Sequence, residues 1–108
     1  MIFSSIDEFY QKADSYSYIS RQEEIDCATK MKSGDLAARE KLIESYVPMV
    51  AVYIKHLKPH LQTFGLVLYC MQALEKAVNS FDFLQDSEPF SHRLSWWLRQ
   101  AVTNYIVR

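Results

Sequence analysis

Apolar residues return every three or four positions through most of this chain. That spacing limits it to amphipathic helices which must bury their stripes against one another. Leu42, Ile43, Tyr46, Val47, Val50, Tyr53, Ile54 and Leu57 hold the period in one stretch. Leu66, Val67, Cys70, Leu74, Ala77, Val78 and Phe81 hold it in a second, and Phe90, Leu94, Trp97, Leu98, Ala101 and Tyr105 in a third. With two Gly, three Pro and 49% hydrophobic residues in 108, little is left over for linkers or disorder. The expected fold class is all-α, a compact bundle of about five helices forming one domain over residues 1–108.

Capping chemistry divides the chain into elements. Ser5 and Glu8 fit a capping box, so a short helix is predicted over about residues 5–14, with Ile6, Phe9, Tyr10 and Ala13 apolar. Asp14 to Tyr18 reads as a connection. Ser20 and Glu23 form a second box, with Ile19 placed as a hydrophobic staple, and the second helix runs from there to Ser33 with Ile25, Ala28 and Met31 inward. Gly34 supplies the left-handed residue that ends it, and Asp35 caps the next. That third helix should reach about Lys58, with a kink or break at Pro48, which lacks an N–H for the carbonyl of Glu44. Pro59 closes it, His60 to Thr63 form a loop, and a fourth helix spans about 64–81. On its outer side lie Leu68, Tyr69, Gln72, Glu75, Lys76 and Asn79; Leu68 and Tyr69 there imply either a partner or contact with the first helix. Asp82 to Pro89 is a loop with three acids, Asp82, Asp86 and Glu88, and no base.

The last helix carries the functional signal. Opposite its apolar face lie Arg93, Trp96, Arg99, Gln100 and Thr103, and no acidic residue occurs beyond Ser91. An exposed indole stacks on an unpaired base, guanidinium pairs with phosphate, and amide and hydroxyl groups reach base edges. The alternative is that both Trp residues are core anchors. The net charge of −1 makes any nucleic-acid surface local rather than global.

Other chemistry finds little support. Cys27 and Cys70 have no metal-ligand spacing and read as reduced, core-filling thiols of a cytoplasmic protein. His56 and His60 are separated by Pro59 and lack a third ligand nearby, so no metal or other cofactor is expected. No nucleophile–base set or phosphate-cradling glycine loop can be assembled, which argues against an enzyme. No apolar run approaches the roughly 18 residues of a membrane span. The helical pattern is still running at Val107-Arg108, as in a fragment of a longer protein.

The order of motifs resembles region 2 of the sigma-70-type initiation factors of bacterial RNA polymerase, with the segment just before it, over about residues 16–108. The blocks are Ser20-Arg-Gln-Glu-Glu-Ile25, Lys32-Ser-Gly-Asp35, Ala37-Ala-Arg-Glu-Lys-Leu-Ile-Glu44, Ala73-Leu-Glu-Lys-Ala-Val78 with Phe81-Asp82, and Phe90-Ser91 with Trp96-Trp-Leu-Arg-Gln-Ala-Val-Thr103. The resemblance implies a helical unit that grips the clamp of core RNA polymerase and opens the minus-ten promoter element. It also implies roles by position. Trp96 and Trp97 match the aromatic pair at the upstream fork, Gln100 and Thr103 the readers of the upstream base pair, and Phe90 an aromatic of the melting segment. With Arg93 and Arg99 these face the non-template single strand, while Leu68, Tyr69 and Gln72 face the polymerase. An anti-sigma or other protein is a further implied partner.

Three departures stand out. Gly65-Leu-Val-Leu-Tyr69 replaces a polar Asp-Leu-Ile-Gln-Glu-like run, Arg93 replaces a base-stacking Tyr with His92 replacing a hydroxyl, and the loop before the last helix is acidic where the family's is basic. The acidic loop implies weak, strongly salt-dependent DNA binding. The competing reading is a divergent sigma-like scaffold that has lost promoter binding and serves as a protein-interaction module.

Overall fold

The computed structural model describes residues 2–108, and among them there are five α-helices, one 3-10 turn and no strand. The helices are α1 (Ile6–Ser15), α2 (Arg21–Lys32), α3 (Leu36–Lys55), α4 (Phe64–Ser80) and α5 (Phe90–Val107). Helix α5 packs most extensively on α4, α2 lies along α3, and α3 joins the two pairs, with α1 across α3 and α4. One buried apolar cluster draws on all five helices, with Phe9, Leu42, Ile43, Leu66, Leu74, Phe90, Leu94 and Leu98 sealed inside it. No described helix is long and apolar enough to cross a membrane.

The helix starts coincide with the capping residues. Ser20 and Glu23 make a complete reciprocal box, and Asp35 Oδ1 accepts from Ala38 N at 3.1 Å. Gly34 takes φ +95°, the left-handed conformation that lets α2 stop and α3 begin one residue later. At α1 only half of the expected box forms. Ser5 accepts from Glu8 N, but the Glu8 carboxylate turns back to Ser4 and is paired with Lys12 at 3.1 Å.

Helix α3 differs from expectation at two points. Of the kink or break expected at Pro48, a break does not occur: the helix runs through it, with flanking residues Val47, Val50 and Ala51 locked in the core on both sides. It also ends at Lys55, not Lys58. Pro59 forces Lys58 into an extended conformation (φ −59°, ψ 143°), so the chain unwinds through His56 and Leu57 before it. The connection to α4 then contains a turn of 3-10 helix, Pro59–Leu61, rather than a plain loop.

Helix α2 buries the expected Ala28 but is turned so that Cys27 and Glu24 go in ahead of Ile25 and Met31. Cys27 and Ala28 are in the core, Ile25 and Met31 are half-buried, and Glu24 is only 7% exposed. That acid is matched: Arg21 Nη1 donates to Oε1 at 2.9 Å and the Tyr46 hydroxyl to Oε2 at 2.6 Å. Arg21 Nη2 also donates to the carbonyl of Phe83 at 3.2 Å, which ties α2 to the acidic segment before α5. That segment is anchored, not a plain surface loop. Phe83 is buried with Phe81 and Phe90 in a cluster of rings 4.9 to 5.1 Å apart.

Candidate nucleic-acid interface

Helix α5 begins after Pro89, which has no side-chain cap, and its direction is fixed by Phe90 at one end and Tyr105 at the other. Phe90 is enclosed by Tyr46, Phe81 and Phe83 and is 2% exposed. Its ring thus lies on the buried face, where the helical period puts it, and is not presented on the open surface of α5. At the far end the Tyr105 hydroxyl meets Thr63 Oγ1 at 2.5 Å, and its ring stands edge-on to Tyr69 at 5.4 Å.

Between these anchors the polar face is open. Trp96 is 50% exposed, and Arg93, Arg99, Gln100 and Thr103 are exposed around it. Trp97 is half-buried and meets Trp96 edge to face, with centroids 5.3 Å apart and planes at 88°. Helix α1 packs on α3 and α4 and leaves this surface open. Thr103 donates its hydroxyl to the Arg99 carbonyl at 3.0 Å, so its oxygen lone pairs stay available.

Trp96 is a shared wall between two hollows. On the α4 side lies one of about 340 Å³, lined by Tyr69, Gln72, Ala73 and Lys76 from α4 and by Trp96, Trp97, Gln100, Ala101 and Asn104 from α5. On the other side Trp96, Arg93, His92 and Glu88 line a hollow of about 250 Å³. The structure thus brings Tyr69 and Gln72 together with Trp96, Trp97 and Gln100, whereas Leu68, 45% exposed, stands outside that hollow. Tyr69 leans on α5 through Tyr105, a neighbour that is neither α1 nor an outside partner.

The cations differ in availability. Arg93 is clamped by Glu88, with Nε at 2.9 Å and Nη2 at 2.7 Å from the same Oε1. Burial raises the pKa of the Tyr53 hydroxyl on α3, and the Arg99 charge partly opposes that. No hydrogen bond or ion pair engages the Arg99 guanidinium or the Lys76 ammonium among the described residues. Lys76, already on the outer side of α4 by sequence, and Asn104, which the sequence reading does not name, both belong to this surface. Asn104 falls four residues after Gln100 and Lys76 four after Gln72, a spacing that signals a shared face. The Glu88 clamp has no such signal, since it depends on how the preceding loop folds back. Among the described residues no group of three His, Cys, Asp or Glu could hold a metal ion.

A surface with one projecting indole, amides beside it and unpaired cations flanking it can stack a base and hold its phosphate. No family model matches the chain. Over 89 residues it is 38% identical to the RNA polymerase sigma factor SigA of Clostridium acetobutylicum, a match covering 82% of this chain. The match takes in 23% of that protein, so the chain spans less than a quarter of its curated relative. The five-helix fold and this identity agree with the ordered motifs, and the chain carries a sigma-70-type region.

Proposed function

We propose that this chain acts in transcription initiation as a sigma region 2-like domain that binds core RNA polymerase and engages the separated non-template strand of the minus-ten element. The observation that carries the reading is Trp96, half exposed between two hollows and flanked by amide and cationic groups. An unpaired base stacks on the indole, Gln100 and Thr103 reach base edges beside it, and Arg99 and Lys76 meet phosphate. Trp97 buttresses the indole from below. Arg93 contributes once it exchanges Glu88 for phosphate. Polymerase is met on the outer side of α4 by Leu68, Gln72 and the exposed edge of Tyr69. The role is non-enzymatic.

Trp96→Ala tests the reading. Loss of stacking should weaken binding to a single-stranded minus-ten oligonucleotide by about 1 to 3 kcal/mol, roughly 5- to 150-fold, with little change on duplex of the same sequence. Equal losses on both would remove the stacking role. A second reading, a protein-interaction module without promoter binding, is favoured by Leu68, an exposed apolar side chain on the polymerase-facing helix. Capture of purified core polymerase by the chain separates the two; failure to retain it, with self-association instead, supports the module.

A further inference from the structure

Toward the end of α4, cations from three helices follow one another away from the Trp96 hollow. Lys76 already walls that hollow, and Asn79, three residues on, is its neighbour on the surface of α4. Asn79 Oδ1 accepts from Arg39 Nε of α3 at 2.9 Å. Just past the helix end, Asp82 Oδ1 meets Lys32 Nζ of α2 at 3.7 Å. A path therefore leads from Trp96 over Lys76, Asn79 and Arg39 to Lys32, crossing from α5 to α2. Lys76, Asn79 and Lys32 are exposed along it and Arg39 is half-buried.

The charge on this path is positioned without being cancelled. The partner of Arg39 is a neutral amide, which holds the guanidinium against α4 and leaves its charge whole. No hydrogen bond or ion pair engages the Lys76 ammonium among the described residues. Lys32 does have an acid beside it. Asp82 Oδ1, however, also accepts from Leu84 N at 3.0 Å and Gln85 N at 3.2 Å, so that oxygen is committed to the turn and its ion pair with Lys32 is a long one. An exposed pair of that length is weak and exchanges readily for a phosphate. Glu75, four residues before Asn79, is a second acid flanking the path.

We propose that Lys76, Arg39 and Lys32 form a phosphate track, along which the single strand stacked at Trp96 continues over the end of α4 onto α3 and α2. The inference rests on the reading of Trp96 as a strand-binding surface and extends that surface to helices other than α5. A nucleic-acid backbone suits the path because it repeats negative charge along a line. A protein partner would find no apolar side chain to bury among Lys76, Asn79, Arg39 and Lys32. The contacts are to phosphate, so the track adds affinity and salt dependence without sequence preference.

The test follows fluorescence anisotropy against salt for a labelled single-stranded oligonucleotide of about 5 nucleotides, and for versions lengthened to about 12 on the 5′ or the 3′ side, sizes that single-strand surfaces cover. One lengthened version should show a slope of log affinity against log salt that is steeper by about 1.4, from two further phosphates at about 0.7 each on Arg39 and Lys32. Arg39→Gln and Lys32→Gln should each remove about half of that increment and leave binding of the short oligonucleotide unchanged. Thermal melting checks that both variants fold. If Arg39 does no more than tie α3 to α4, Arg39→Gln lowers the melting temperature and leaves the slope as it was, which counts against the track. Trp96→Ala should weaken short and long oligonucleotides by the same factor while the slope difference persists. Failure of the stacking reading is thus seen at both lengths, and failure of the track only in the difference between them. A slope indifferent to length, an increment untouched by Arg39→Gln and Lys32→Gln, or equal effects of these substitutions on the short oligonucleotide would each overturn the proposal.

Discussion

Two groups in the interior of this protein connect burial to pH. Burial pushes the Cys70 thiol from 9.0 up to about 12, and burial followed by the Glu24 hydrogen bond raises the Tyr46 hydroxyl above its usual value of 10.0. The folded state therefore keeps protons that the unfolded chain releases, so both contributions are fully present below the unfolded values and are lost as pH rises. Urea midpoints should hold steady up to about pH 9 and then fall, by at most about 1.4 kcal/mol per pH unit for one group. Cys70→Ala should flatten the part of that decline that begins near pH 9. A midpoint that rises between pH 9 and 10 would contradict the sign. Glu24 is the other residue with large leverage. Glu24→Ala leaves the Tyr46 hydroxyl without its acceptor and Arg21 with only the Phe83 carbonyl, which should cost about 1 to 3 kcal/mol in chemical denaturation.

At the scale of elements, the α4–α5 contact accounts for the glycine that departs from the family's polar run. A Cβ at Gly65 would lie 3.0 Å from Tyr105 Cε1 and 3.3 Å from its hydroxyl. Tyr105 has little room to retreat, since Thr63 holds its hydroxyl, Tyr69 abuts its ring and Arg108 covers its face. Gly65→Ala should therefore destabilise the protein, by about 1 kcal/mol or more, although alanine is intrinsically the better helix former. In Gly65→Ala/Tyr105→Leu the clash is absent and the alanine should cost less than in the single variant, which a double-mutant cycle would read directly. The glycine, Tyr69 and Tyr105 form one packing unit, so the changed run of α4 is matched by the tyrosine near the end of α5.

Over the whole molecule, charge is sorted toward two ends. Asp82, Asp86 and Glu88 sit together where α4 gives way to α5, and Lys58 and Arg108 lie at the opposite end. A net charge of −1 hides this arrangement. Glu88 is the acid with a direct effect on the proposed DNA surface, because it occupies the guanidinium of Arg93. Glu88→Gln should release Arg93 and strengthen binding to a single-stranded oligonucleotide at low salt. If one phosphate contact is gained, the slope of log affinity against log salt should steepen by about 0.7. An unchanged slope would mean that Arg93 does not reach the strand.

The helices were legible because periodicity and caps are local properties, and Ser20, Gly34 and Asp35 fixed boundaries almost to the residue. So was the open face of α5, since residues spaced by three and four must share a side. The sequence by itself determined an all-helical chain with an indole on a polar face and motifs in sigma-70 order. Only the tertiary structure decided that Phe90 is sealed by three rings, that Glu24 is buried and matched, that Arg93 is held by Glu88, and that Trp96 separates two hollows. Each of these depends on groups brought together by packing. Tyr46 lies 22 residues from Glu24 and Phe83 lies 62 from Arg21, separations over which no helical period carries information.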